Sequence, residues 1–93
     1  MVNAKSKKHI KLNKKKYYFY EIKWFDILGD TGHATYQEFQ EMQPVVMITN
    51  AYIFSQDNFV IKTFSSYAEY EECFSDRNVI PKGCVISIKK LDM

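Results

Sequence analysis

Few side chains in this chain have the type and spacing that chemistry needs. Asp26, Asp30 and His33 fall in one stretch with Gly29 and Gly32, and two carboxylates beside an imidazole could hold a metal or share acid/base work. The same residues also make an ordinary polar loop ahead of a helix, since Asp and Gly favour turns and a His near spaced Asp recurs by chance. Ser65, Ser66 and Cys73 have no recognisable base partner, and no glycine-rich phosphate loop is present. Cys73 and Cys84 are neither a CxxC pair nor part of a Cys/His ligand set, so they read as reduced thiols, with Cys84 in the core. The chain therefore reads as non-enzymatic, with no cofactor and no metal.

The other chemistry on offer is charge interleaved with aromatic rings. Residues 1–16 hold seven lysines and no acid, whereas the remainder carries six basic and eleven acidic residues, near −5. So apolar-poor a stretch cannot offset the ~1–2 kcal/mol per residue of backbone ordering entropy, which predicts a disordered lysine-rich tail over 1–16 and a single folded domain over 17–93. The tail, including Lys14, Lys15 and Lys16, is either an arm that neutralises nucleic-acid phosphates or a solubilising segment. Seven Phe, seven Tyr and Trp24 could stack on bases, but a domain this small also needs them for its core. The negative body leaves only Lys82, the tail and Asn58 as local basic or polar contacts. With neither a long apolar stretch nor a secretory leader, the expected location is cytoplasmic, without membrane contact.

These residues must be positioned by strands. Tyr17 to Ile27 alternates, with Tyr18, Tyr20, Ile22 and Trp24 on one face and Phe19, Glu21, Lys23 and Phe25 on the other. Thr35-Tyr36-Gln37-Glu38 fits a capping box, and Tyr36, Phe39 and Met42 give a short helix that Pro44 stops. Val45 to Phe54 and Phe59 to Phe64 form a hairpin around Ser55-Gln56-Asp57-Asn58, with Ile61 in the core. Tyr67 to Asp76, with Tyr67, Tyr70 and Phe74 spaced at threes and fours, fits either a helical turn or a long hairpin tip and is read as a loop. Val79-Ile80, a sharp corner at Pro81-Lys82-Gly83 and the strand Cys84 to Leu91 complete the chain, with Cys84, Ile86 and Ile88 predicted to be buried. This is a mostly β chain, a small, strongly bent five-stranded barrel with one short helix after the first strand.

Five strands, a hairpin centred on Asp57-Asn58-Phe59 and a closing Ile80-Pro81-Lys82-Gly83-Cys84-Val85-Ile86-Ser87-Ile88 resemble the Sm-like (LSm) fold, close to the small Sm-like proteins encoded by bacteriophages, including marine cyanophages. The likeness spans about Tyr18 to Leu91. Lys82-Gly83 is similar to the family's basic residue and glycine before the last strand, and Asp57 and Asn58 sit where the family places an aspartate and an asparagine. Three features depart from the family pattern. Asp57 and Asn58 are adjacent, the basic residue is lysine rather than arginine, and the helix follows the first strand instead of preceding it. The resemblance implies a homo-oligomeric ring of the SH3-like barrel type, joined through edge strands in the host cytoplasm, with RNA at Lys82, Gly83 and Asn58. The alternative is a phage accessory protein that binds a host protein or sequesters a small nucleotide.

Overall fold

The computed structural model describes residues 6–92. Its elements run β1 (His9–Leu12), β2 (Lys15–Asp26), α1 (Tyr36–Gln40), β3 (Val45–Gln56), β4 (Val60–Phe64), β5 (Ser66–Tyr67), β6 (Phe74–Ser75), β7 (Asn78–Pro81), a 3-10 turn (Lys82–Cys84) and β8 (Val85–Lys90). The main sheet is antiparallel, in the order β1, β2, β3, β4, β7, with β8 also paired to β2. β5 and β6 form a separate two-stranded hairpin. The five predicted strands are present as β2, β3, β4, β7 and β8, and three more join them.

One added strand lies where the sequence predicts a disordered tail. Ile10 and Leu12 alternate with His9 and Lys11, and Leu12 buries against Tyr17, Tyr52 and Phe64. An average over sixteen lysine-rich residues hides that short alternation. Asn13 and Lys14 both adopt positive φ, 48° and 68°, which makes the two-residue turn whose twist suits a hairpin. The sheet thus starts at His9, and residues 1–5 of the predicted tail lie outside the described residues.

Apolar side chains gather on both faces of the sheet. On one face, Ile22, Ile61 and Ile80 form a core with Tyr20, Trp24, Ile53 and Val85 against it. Flat strands about 4.8 Å apart would hold β2 and β7 roughly 14 Å from each other, so a cluster shared by Ile22 and Ile80 requires a strongly bent sheet. On the other face Tyr17, Tyr52 and Phe64 pack with Phe19 and Phe74, and the Phe64 and Phe74 ring centroids lie 4.6 Å apart. β7 pairs only with β4 and β8 only with β2 among the described residues, so the sheet is open rather than a closed barrel.

The corner at Pro81 is as expected: β7 and β8 follow each other without pairing, and the 3-10 turn between them carries the chain from β4 to β2. The facing of the last strand departs from expectation only at its start. The register slips between Lys23 and Trp24, which pair with Ser87 and Val85, leaving Ile86 as the extra residue of a bulge. The bulge brings Val85 onto the Ile22 core beside Trp24 and leaves Ile86 46% exposed, whereas Ile88, directly opposite Ile22, faces the core side as expected but stays 40% exposed because β8 pairs on one edge only among the described residues. Cys84 is half-buried in the 3-10 turn, not in the core. Tyr67 to Asp76 is the arm and tip of the β5–β6 hairpin, where a loop is predicted.

Thr35 caps α1 as expected. Its hydroxyl accepts from the Glu38 amide at 3.2 Å and the Glu38 carboxylate accepts from the Thr35 amide at 3.1 Å, which holds that carboxyl below the usual range. The helix buries none of its residues.

Candidate nucleic-acid interface

The β3–β4 turn is built around one carboxylate. Asp57 Oδ1 accepts from the amides of Phe59 at 2.7 Å and Val60 at 2.9 Å, fixing the turn as Asp does when its side chain replaces a backbone acceptor. Those two amides, helped by the charges of Lys82 and Lys62, hold the Asp57 carboxyl below its usual range. The Lys82 amide donates to the Phe59 carbonyl at 2.8 Å, so the 3-10 turn docks on the hairpin tip. Asn58, Lys82 and Gly83, far apart in sequence, therefore meet at one end of the sheet. Phe59 projects beside them, 79% exposed, although strand alternation groups it with the buried Ile61. A Cβ on Gly83 would meet no atom within 4 Å, and no glycine has positive φ, so neither space nor backbone conformation demands glycine there.

Lys14, Lys15 and Lys16 go elsewhere. Lys14 occupies the β1–β2 turn, and Lys15 lies with its Nζ 5.2 Å from the Tyr17 ring centroid and 5.7 Å from that of Phe54. Lys16 sits directly opposite Lys11, with His9 opposite Tyr18 next along the ladder. No hydrogen bond, ion pair or ring contact among the described residues joins this group to Asn58 or Lys82.

Antiparallel register turns the second group into a track. Directly paired residues share a face, so Lys11, Lys16, His9, Tyr18, Lys90 and Tyr20 all lie on the Ile22 face, running outward from Tyr20 at the edge of its core. Lys90 Nζ stands 4.1 Å from the Tyr18 ring centroid and 5.7 Å from that of Tyr20, and the His9 and Tyr18 rings are 5.4 Å apart. Like charges directly opposite on a ladder repel, and Lys11 and Lys16 form no ion pair among the described residues. Cations interleaved with aromatic faces suit a single-stranded polyanion. Sequence reading missed His9, Lys11, Tyr18, Tyr20 and Lys90 as a set because register, not spacing along the chain, brings them together.

The Asp26, Asp30 and His33 loop gathers no comparable set. Asp30 Oδ1 accepts from the Gly32 amide at 2.7 Å, an ordinary turn contact. Among the described residues no three His, Cys, Asp or Glu side chains converge as metal ligands, and no helix is long and apolar enough to cross a membrane. Comparison with protein-family models, curated proteins and solved structures gave no match.

Proposed function

We propose that this protein is a self-associating, non-enzymatic RNA-binding β protein with an Sm-like/SH3-like barrel plan. The observation that carries the RNA reading is the track in which Lys11 opposes Lys16 while Lys90 covers Tyr18 and Tyr20. A bound phosphate backbone would relieve the repulsion and use the rings as stacking platforms. Asn58, Phe59, Lys82 and Gly83 supply a second contact at the hairpin end, in keeping with the Sm-like resemblance. The order β8, β2, β3, β4, β7, with a 3-10 turn before the last strand, also suits that plan.

Self-association rests on surface and edges. Val45, Val46, Met47 and Ile48 are each at least 40% exposed, on both faces of the outer part of the β2–β3 ribbon, and Tyr36 and Phe39 of α1 lie open as well. So much exposed apolar side chain together with unpaired strand edges is a liability in a lone subunit and an asset in a closed ring. Native mass spectrometry of the full chain with oligo-uridine tests both halves. The expected species is a homo-oligomer carrying RNA. A monomer without RNA at micromolar concentration and low salt would overturn the reading.

A further inference from the structure

A groove of about 710 Å³ lies between the β5–β6 hairpin and the outer face of β4 and β7. Lys62 pairs with Val79, and both face away from the Ile61 and Ile80 core, so the groove opens on the opposite side of the sheet from the Lys11–Lys16 track. Its apolar wall is made by Phe54, Phe64 and Phe74, packed edge to face, with Phe54 and Phe74 centroids 5.1 Å apart at 70°. Phe64 is buried, but Phe54 remains 38% exposed and offers its surface to the groove. The cations are Lys62 and Arg77, the only arginine in the sequence. Neither forms an ion pair among the described residues.

The turn before Arg77 is held in place. Asp76 has φ of 53°, a strained value for a non-glycine residue, and its carboxylate accepts from the Ser66 hydroxyl at 2.6 Å. One carboxylate, Glu72, also lines the groove, and it accepts from Asn13 Nδ2 at 2.8 Å. Two cations against one acid leave a positive balance, and Lys15 beside the Phe54 ring adds to it.

We infer that this groove binds a nucleoside 5′-phosphate, its base against Phe54 and Phe74 and its phosphate on Arg77 and Lys62. A planar guanidinium grips phosphate oxygens in pairs, which an ammonium does not. The groove volume falls within the roughly 300–1,000 Å³ of small-ligand sites. Asn78, at its margin, supplies an amide donor and acceptor of the kind a base edge uses and a simple phenyl ring does not. Strand pairing between subunits would use the backbone edge of β7, leaving this outer face open.

The test is isothermal titration and amide NMR of the full chain with each of the four ribonucleoside 5′-monophosphates, their nucleosides, phenyl phosphate and inorganic phosphate. At least one monophosphate should shift Phe54, Arg77 and Asn78 and bind about tenfold tighter than its nucleoside, the increment expected of a charge-assisted contact. Arg77→Gln, at an exposed site, should weaken it about tenfold and Arg77→Lys by less. The proposal falls if no monophosphate moves these residues at millimolar concentration, if the shifts are confined to Lys11, Tyr18 and Lys90, or if phenyl phosphate or inorganic phosphate binds as tightly as the nucleotide. Loss of this site would leave the RNA reading standing, because oligo-uridine binding is read on the other face.

Discussion

Replacing Lys11 and Lys16 together by glutamine should move stability and RNA affinity in opposite directions. The two lysines face each other directly across the β1–β2 ladder, and neither has an ion-pair partner among the described residues. Like charges so placed destabilise by roughly 0.2–1 kcal/mol, so Lys11→Gln/Lys16→Gln should raise unfolding free energy by a few tenths of a kcal/mol at low salt, and by less at high salt. Each phosphate contact on a single strand adds ~0.7 to the slope of log affinity against log salt, so losing two should flatten the slope by ~1.4. Between 50 and 200 mM salt that is about a sevenfold smaller loss of affinity than in the parent protein. Lys82→Ala, at the separate hairpin-end patch, should flatten the slope by no more than ~0.7. Fluorescence anisotropy with labelled oligo-uridine at several salt concentrations measures the slopes, and urea unfolding of the same samples measures stability. An unchanged slope in the double variant would refute the track as the phosphate path, and a destabilised double variant would refute the repulsion.

Three further outcomes follow from single residues. The Thr63 hydroxyl is buried without a hydrogen-bond partner among the described residues, so Thr63→Val, near in shape, should stabilise by about 1 kcal/mol in urea unfolding; a loss of stability would show that the hydroxyl is satisfied in solution. The Asp57 carboxyl is held below its usual range when folded, so its contribution to the turn is full above the unfolded value near 3.8 and is lost as pH falls through the lower folded value. Amide NMR of Phe59 and Val60 should follow that loss in the parent but not in Asp57→Asn, which keeps the acceptor; identical titrations would reject the assignment. Gly83→Ala meets no atom, so stability should stay within ~0.5 kcal/mol while oligo-uridine affinity drops severalfold, and unaltered affinity would remove Gly83 from the interface.

The parts of this structure that were legible in the sequence are those fixed by neighbours along the chain. Thr35 and Glu38 satisfy each other's amides within a single turn, and Pro81 ahead of Lys82-Gly83 forces a corner wherever the flanking strands go. Ile61 had to be buried because Lys62 beside it had to reach water. What stayed hidden depends on partners distant in sequence. The bulge at Ile86 is set by where β8 meets Lys23 and Trp24, and it turns Val85 inward against the simple alternation of Cys84, Ile86 and Ile88. β1 was hidden because Ile10 and Leu12 stabilise a strand only once Tyr17, Tyr52 and Phe64 are there to receive them. The candidate site divides in the same way. Asn58, Lys82 and Gly83 come together through the contact of Lys82 with Phe59, while Lys14, Lys15 and Lys16 separate because a strand sends successive side chains to opposite faces. Of those three only Lys16 enters the track, and its companions Lys11, His9, Tyr18 and Lys90 are defined by two registers that no spacing along the chain encodes. Charge composition alone therefore assigns the lysines to a loose arm, whereas pairing sets two of them, Lys11 and Lys16, opposite each other beside rings that the register places.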